Sequence, residues 1–154
     1  MVANLTTEEV VLEHERLRGG HNLVIGDDGV AIVNDSFGKA VRFYDLDAGQ
    51  LRRTTDLTEF EWVRDLIRWE VPMYWGKEAL RKVGGIEGSV AKPLFVRGLA
   101  RWKDTLFIGV SPAAILQVDV ATGALVDAYQ YSSNVHACIH GLAILNDTAF
   151  QAGA

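Results

Sequence analysis

Apolar residues along most of the chain come in short runs separated by polar turns, a pattern typical of β-strands. The runs "VAIVN" at residues 30–34 and "LFIGV" at residues 106–110 contain β-branched side chains and follow Asp-Gly or Asp-Thr pairs. A second run comes after each of them, "AVRFYDL" at residues 40–46 and "AILQVDV" at residues 114–120. These runs predict pairs of antiparallel strands that tight turns connect.

Two glycine turns extend each pair of strands into a larger unit. In "DAGQL" and "ATGAL", Gly49 and Gly123 occupy the position expected to need a positive φ, which glycine adopts without strain. One further strand is predicted after each turn, and another before each pair. The sequence therefore predicts two units of four antiparallel strands, at residues 21–56 and 92–131.

A third copy of the unit begins near the end of the chain. Residues 140–154, "HGLAILNDTAFQAGA", match residues 97–111, "RGLARWKDTLFIGVS", at six of fifteen positions. The spacing is about 43 residues, and four antiparallel strands on such a period are typical of a β-propeller blade. We therefore expect half a blade at residues 140–154. A further strand is predicted near residues 10–17, although Thr6 and Glu9 also allow a capped helix there.

Residues 58–90 do not follow the repeat, because the spacing of their apolar positions is helical. They predict a helical insertion at about residues 58–84, between the two complete blades. Thr58 and Glu61 form a capping-box pattern at its start. We expect two short helices in this insertion, the second at residues 76–84. The buried face of the first helix is predicted to consist of Trp62, Leu66 and Trp69.

The segment "GLARWKDTLFIG", followed by "ILQVDVATGALVDAY", resembles the blade pattern of the NHL, gluconolactonase and YVTN-type six-bladed propellers. It is also similar to a group of bacterial six-bladed propeller proteins whose activity is not established. In these families the inner strand often carries "GLA", the next strand reads "LFVG" or "LYVAD", and the third ends "V-D-x-x-T-G". The resemblance covers residues 20–56 and 92–154. It implies an all-β propeller fold but no particular activity, because propellers carry many functions.

The charge of the chain limits the classes of partner. Fifteen basic and twenty acidic residues give a net charge of −5, which argues against a nucleic-acid or anionic-membrane surface, since both bind clustered lysines and arginines. No run of 18 apolar residues is present, and the N-terminus lacks the basic and apolar regions of a signal peptide. With a single cysteine, Cys138, the chain fits a reducing compartment. We therefore expect a cytoplasmic protein.

Three basic or imidazole side chains occupy the same position in the three copies of the repeat. His21, Arg97 and His140 each open an inner strand, and the inner strands of a propeller line its central channel. Together with the neighbouring Asn22, they form the predicted ligand-binding site. Arg97 suits an anionic small molecule such as a carboxylate, and the imidazoles also suit a metal ion. The alternative is that these side chains bind backbone carbonyl groups of neighbouring blades.

These observations favour a non-catalytic propeller module that binds a small ligand or a protein partner, and no cofactor is expected. The alternative function is a metal-dependent hydrolase of the lactonase type, with its ion in the central channel. Gluconolactonase-type propellers hold a divalent cation with carboxylates and amides, whereas the matching positions here carry histidine or arginine. The nearest oxygen ligands are Asn22, Asn34 and Asp35. A third interpretation is a purely structural role in assembly.

Two complete blades do not close a ring, and open ends expose strand edges that need a partner. Propellers have about four to eight blades, so two copies that each supply about three blades make a six-bladed ring. We expect a homodimer about a two-fold axis, in which the strand near residues 10–17 of one copy completes the half-blade of the other. The alternative is that the sequence is a piece of a longer reading frame.

Overall fold

The computed structural model of the chain is mostly β, and it describes residues 2–4, 9–12, 17, 19–68, 75–76, 79, 94–134 and 137–145. These residues form two four-stranded antiparallel sheets, one two-stranded sheet and one α-helix. The two-stranded sheet consists of β1 (Val2–Asn4) and β2 (Glu9–Leu12). Sheet 1 consists of β3 (Gly20–Ile25), β4 (Val30–Asp35), β5 (Ala40–Asp45) and β6 (Gln50–Asp56). Sheet 2 consists of β7 (Gly98–Trp102), β8 (Thr105–Val110), β9 (Ala114–Asp119) and β10 (Leu125–Gln130).

Each four-stranded sheet is a meander, in which strands that follow one another along the chain are also neighbours in space. The glycine turns predicted from the sequence are confirmed, because Gly49 and Gly123 have φ values of 61° and 77°. An aspartate stabilises each of these turns. Asp45 Oδ1 accepts a backbone hydrogen bond at 2.9 Å, and Asp119 Oδ1 accepts one at 2.7 Å. The two sheets therefore share both strand order and turn chemistry.

The main hydrophobic core lies between the two sheets. Ile32 and Phe43 of sheet 1 and Ile108 and Leu116 of sheet 2 are buried in it. Along each strand these residues alternate with residues on the opposite face, as the two-residue period of a strand requires. Complete burial of one such side chain contributes about 1.5–3 kcal/mol, so this interface stabilises both sheets.

Helix α1 (Glu61–Ile67) packs against the same core, but with a different face from the one predicted. Val63 and Ile67, one turn apart, are its buried residues. Trp62 and Leu66, which were predicted to be buried, are only half-buried at the edge of the core. No helix among the described residues is long and apolar enough to cross a membrane.

The capping-box prediction for the start of this helix is wrong. Asp56, at the end of β6, caps a short 3-10 helix at Leu57–Glu59 instead. Its Oδ1 accepts hydrogen bonds from the backbone amide of Thr58 at 2.8 Å and from the Thr58 hydroxyl at 2.7 Å. Helix α1 begins after Phe60, which makes no side-chain capping bond. Thr58 lies inside the 3-10 helix, and Phe60 occupies the N-cap position of α1, so the Thr58 hydroxyl does not cap the helix.

Several predictions fall wholly or partly outside the described residues. Trp69 lies outside them, as does the second predicted helix at residues 76–84, except for residues 76 and 79. The strand predicted near residues 10–17 begins within β2, which pairs with β1. Of the remaining residues 13–17 in this range, only residue 17 is described. The half-blade predicted at residues 140–154 is described as far as residue 145, and no strand is assigned in that part.

The face of sheet 1 that points away from sheet 2, which we call the outer face, is also apolar. Ile25, Ala31, Tyr44 and Leu51 are paired in register across its four strands. Ala31 and Tyr44, at the centre of this row, are fully buried. Ile25 and Leu51, at its ends, are 52% and 40% exposed, and the neighbouring Leu23 is 45% exposed. Sheet 1 therefore has two apolar faces, and sheet 2 covers one of them.

Ile139, within the described residues 137–145, packs closely on the face of sheet 2 that points away from the core. Gly98 and Gly109 are paired in register there. A Cβ added to Gly109 would lie 2.7 Å from Ile139 Cγ2 and 2.9 Å from Ile139 O, so only glycine allows this approach. A Cβ added to Gly141, by contrast, meets nothing within 4 Å.

We predict that Gly109→Ala lowers the free energy of unfolding by about 1–3 kcal/mol, because Ile139 and its backbone have to move. Gly141→Ala is the matched control and should change this free energy by less than about 0.5 kcal/mol. Urea denaturation followed by circular dichroism measures both variants. Equal stability of the two would contradict the close packing of residues 137–145 on sheet 2.

Candidate functional site

The structure brings the four residues of the predicted ligand site together in one group, His21, Asn22, Arg97 and His140, which we call the Arg97 cluster. Arg97 immediately precedes β7, and its backbone N–H donates to Gly109 O at 3.0 Å. Its Nη1 lies 2.9 Å from His140 Nδ1. The same Nη1 lies 3.4 Å from His140 Nε2, and because a guanidinium only donates, the imidazole accepts in this contact.

Phe95 forms the platform on which the cluster rests. The guanidinium carbon of Arg97 lies 4.1 Å from the centre of the Phe95 ring, a cation–π contact. The His21 ring lies on the same residue, with 6.0 Å between ring centroids and a 57° tilt. Phe37 packs edge-on against Phe95 with 6.4 Å between centroids. No motif in the sequence points to Phe95. The one available signal is its position two residues before Arg97, because side chains two residues apart lie on the same face of an extended segment.

The Asn22 side chain binds backbone carbonyl groups, as the alternative interpretation expected for this group of residues. It adopts a φ of 53°, a conformation that asparagine tolerates better than most residues. Its Nδ2 donates to the carbonyl oxygens of Arg97 and of His140, the latter at 3.1 Å. One side chain of sheet 1 therefore fixes the backbone at both of the other repeat positions.

A second asparagine continues this polar seam between the sheets. Asn34 is fully buried, and its Nδ2 donates to the carbonyl oxygens of Arg97 at 3.0 Å and Gly98 at 3.1 Å. The Ser36 hydroxyl donates to Val96 O. Asn34 Oδ1 is buried with no hydrogen-bond partner among the described residues. These bonds hold the strand start that carries Arg97 against sheet 1.

Cys138 lies next to the cluster but is not poised for nucleophilic chemistry. Its Sγ donates a weak hydrogen bond to Phe95 O at 3.7 Å. Burial raises the pKa of the thiol, and the nearby Arg97 only partly opposes this effect. A raised pKa leaves little thiolate at neutral pH, so Cys138 behaves as a small packing residue.

The electrostatics of the cluster favour an anion. Arg97 is half-buried, and no carboxylate of the described residues forms an ion pair with it. Its Nε is buried without a hydrogen-bond partner in the same part of the chain. A partly desolvated cation with no counter-charge is costly, and a bound anion offsets that cost.

A cavity of about 180 Å³ opens near the ends of β3 and β7, and we call it the arginine cavity. The Arg97 cluster adjoins the starts of β3 and β7, whereas this cavity adjoins their ends. Both sheets contribute to it, and its charged lining residues are Asp28, Arg52, Arg53, Arg101 and Asp104. No sequence motif points to this cavity, because its residues come from strands and turns that are distant along the chain.

An ion pair between the two sheets forms one side of the arginine cavity. Arg101 of β7 donates to Asp28 through two hydrogen bonds, at 2.9 Å to Oδ1 and 2.8 Å to Oδ2. This bidentate pair lowers the pKa of Asp28 to about 2, against a usual value of 3.8. The sequence predicted Asp28 only as a turn residue, since its partner lies 73 residues away.

Arg53 of sheet 1 bridges to sheet 2 on the other side of the cavity. Its Nη1 donates to Ala121 O at 2.6 Å, and its Nη2 donates to Val120 O at 2.7 Å. The guanidinium lies 4.0 Å from the centre of the Phe43 ring. Burial lowers the pKa of Arg53, and the charge of Arg52 lowers it further. This part of the cavity is therefore crowded with positive charge.

A metal centre has no support in the described part of the chain. No three side chains of histidine, cysteine, aspartate or glutamate are grouped there as a metal ion requires. The side chains predicted to supply the nearest oxygen ligands already make other contacts. Asp35 forms an ion pair with Arg42 at 2.6 Å, and the Asn22 and Asn34 amides bind backbone carbonyls.

Comparison with known proteins adds little to this picture. No protein-family model and no curated protein matches the chain. Among solved structures, the chain is similar to the crystal structure of the computationally designed Ika4 protein, with a TM-score of 0.37 and 11% sequence identity. The match covers 90% of this chain and 88% of that chain. At this TM-score the similarity does not establish a shared fold.

The ion pair between Asp28 and Arg101 predicts a pH dependence of stability. The pKa of Asp28 is lowered on folding, so its contribution is present above about pH 4 and is lost as the pH falls towards 2. The Asp28 side chain is 46% exposed, so we expect only about 0.2–1 kcal/mol from this pair.

We therefore predict that Asp28→Asn is less stable than the wild type at pH 6 and loses less stability than the wild type between pH 4 and pH 2. Asp47→Asn, which removes an exposed carboxylate of the β5–β6 turn, is the control and should follow the wild type. Urea denaturation at each pH measures the free energy of unfolding. Parallel pH profiles for Asp28→Asn and the wild type would contradict the role of the pair.

Proposed function

We propose that the chain forms half of a six-bladed β-propeller, and that a second copy of the chain completes the ring. The observation that supports this is the equivalence of the sheet faces. When the two sheets are aligned by their turns, Tyr44 corresponds to Val118, and their cross-strand partners Ala31 and Leu106 correspond as well. Leu106 and Val118 belong to the core that faces sheet 1. The outer face of sheet 1 is thus equivalent to the face of sheet 2 that packs against sheet 1.

The same equivalence indicates what covers the outer face. Sheet 2 packs on one face of sheet 1, and residues 137–145, where the third copy of the repeat begins, pack on the matching face of sheet 2. Each unit therefore stacks on the same face of the unit before it. No complete four-stranded unit precedes sheet 1 in the described chain. Ala31 and Tyr44 at the centre of its outer face are buried, whereas Leu23, Ile25 and Leu51 stay exposed, so the last unit of a second copy would cover these edge residues. Burial of Leu23, Ile25 and Leu51 there contributes about 25 cal/mol per Å² of apolar surface.

The N-terminal hairpin supports the count of blades. A single strand near residues 10–17 was predicted, whereas β1 and β2 form a pair in which Ala3 lies opposite Val10. Two strands from this hairpin and two strands predicted at residues 140–154 make one four-stranded blade at each junction. Three blades from each copy then close a six-bladed ring about a two-fold axis.

We expect the purified protein to be a homodimer at micromolar concentration in sedimentation equilibrium. Ile25→Glu places a charge on the outer face, so it should shift the population towards monomers while circular dichroism stays unchanged. Val126→Glu is the matched control, because Val126 is 65% exposed on β10 at the far edge of sheet 2, and it should remain dimeric.

A monomeric wild type would contradict the proposed ring. Equal association of Ile25→Glu and the wild type would contradict the outer face as the contact surface. Dissociation of Val126→Glu alone would place the contact on β10 and would also count against the proposal.

The ring has a consequence for the Arg97 cluster, whose residues adjoin the starts of the inner strands β3 and β7. In a propeller these strand starts face one end of the central channel. A two-fold ring places two copies of the cluster around that channel, so the positive charge there doubles. We therefore propose that the module binds a small molecule with several negative charges at this end of the channel, without catalysis.

Citrate is a suitable probe for this site, because its three carboxylates accept from guanidinium and imidazole donors together. We expect citrate to shift the imidazole resonances of His21 and His140 in a saturable NMR titration. In Arg97→Gln the affinity should fall about tenfold or more, since a charge-assisted bond of about 1.5–3 kcal/mol is lost. Arg68→Gln, on the C-terminal end of α1, is the control and should bind citrate like the wild type.

Unchanged histidine resonances in the wild type at millimolar citrate would argue against the ligand site. Equal shifts in Arg97→Gln and the wild type would show that Arg97 does not bind the anion. The lactonase-type alternative finds less support, because the described histidine, cysteine, aspartate and glutamate side chains form no group of three that a metal ion requires, and Asp35 is paired with Arg42.

A further inference from the structure

The arginine cavity supports an inference that is independent of the ring and of the ligand proposed for the Arg97 cluster. We propose that the arginine cavity binds a small organic molecule that carries a single carboxylate and a short apolar chain. The cavity lies at the opposite end of the inner strands from the Arg97 cluster, and none of its lining residues belongs to that cluster.

The charged residues that line the cavity leave one positive charge in excess. Arg101 and Asp28 neutralise each other through their bidentate pair at 2.9 and 2.8 Å. Arg52, Arg53 and Asp104 remain in the lining, two cations against one anion. One carboxylate neutralises this excess, whereas a polyanion overshoots it and meets Asp104 as well.

One of the two unpaired arginines of the lining, Arg53, is already held in place. Arg53 is fixed by its two hydrogen bonds to the carbonyls of Val120 and Ala121 and by its contact with Phe43. Gly123 allows this position, because a Cβ there would lie 3.1 Å from Arg53 Nε. Binding to a guanidinium that is already ordered costs little conformational entropy. A carboxylate beside it also relieves the crowding of Arg53 by Arg52, which agrees with the lowered pKa of Arg53.

The remaining lining residues explain why the ligand should be organic. Val30, Phe43, Val120 and Ala121 form an apolar wall beside the arginines. A volume of about 180 Å³ holds about six water molecules at roughly 30 Å³ each, enough for an acid of a few carbon atoms. Inorganic phosphate satisfies the charge but leaves this wall in contact with water, so a short carboxylic acid fits better.

Butyrate is the probe for the test, and n-butanol and inorganic phosphate are its comparisons. We expect butyrate to cause saturable shifts of the Val120 and Ala121 amide resonances in NMR, with a dissociation constant in the millimolar range. Butanol lacks the charge and phosphate lacks the apolar chain, so each should bind at least about tenfold more weakly than butyrate.

Two variants test separately the positive charge of Arg52 and the open volume of the cavity. Arg52→Gln should weaken butyrate about tenfold without a loss of stability, because Arg52 is exposed and makes none of the bonds that join the sheets. Ala121→Phe should abolish binding by filling the cavity, since Ala121 is exposed and its carbonyl is kept. Arg68→Gln, away from the cavity on α1, is the control and should bind like the wild type.

Absence of saturable butyrate binding by the wild type would overturn the proposal. Phosphate binding as tight as that of butyrate would overturn the assignment to an organic acid. Butyrate binding that survives in both Arg52→Gln and Ala121→Phe would show that the acid binds elsewhere. These outcomes do not depend on the dimer, because the cavity is formed by one chain.

Discussion

The structure depends on the fact that sheet 1 is apolar on both faces and that sheet 2 covers only one of them. On sheet 1, Ile32 and Phe43 point towards sheet 2, while Ala31 and Tyr44 point the opposite way, because side chains alternate along a strand. A sheet with two apolar faces is most stable when both faces are packed against other elements. Stacking of repeated units in one direction is the arrangement that satisfies both faces, and this is the physical basis for proposing a closed ring.

Polar contacts at the two ends of the interface decide how the sheets lie on each other. At one end, Asn22 and Asn34 of sheet 1 donate to backbone carbonyls around Arg97. At the other end, Arg101 reaches Asp28, and Arg53 reaches two carbonyls of sheet 2. The chain carries a net charge of −5, yet both ends hold arginines that the described carboxylates do not fully neutralise. The bonds that align the sheets therefore also place cations where small anions can meet them.

Much of the local structure follows from the sequence alone, because its causes lie within a few residues of each other. The alternation of apolar positions predicts the strands, and Gly49 and Gly123 predict the turns, since a positive φ is a local requirement. The internal repeat goes further, because equivalent positions of a repeat take equivalent places in the fold. For this reason His21, Arg97 and His140 were predicted as one group, and the structure brings them around Phe95.

The tertiary structure decided which atoms of these residues are used and which other residues join them. The Asn22 amide binds two backbone carbonyls, and Asp28 meets Arg101 across 73 residues. Helix α1 buries Val63 and Ile67 rather than the tryptophan face. Each of these outcomes depends on the offset and angle between two packed elements, which no short stretch of sequence encodes. The sequence by itself determined the strands, the turns and the group of repeat positions, whereas only the packing of one sheet on the other decided the polar seam and the arginine cavity, because both are made of contacts between distant segments.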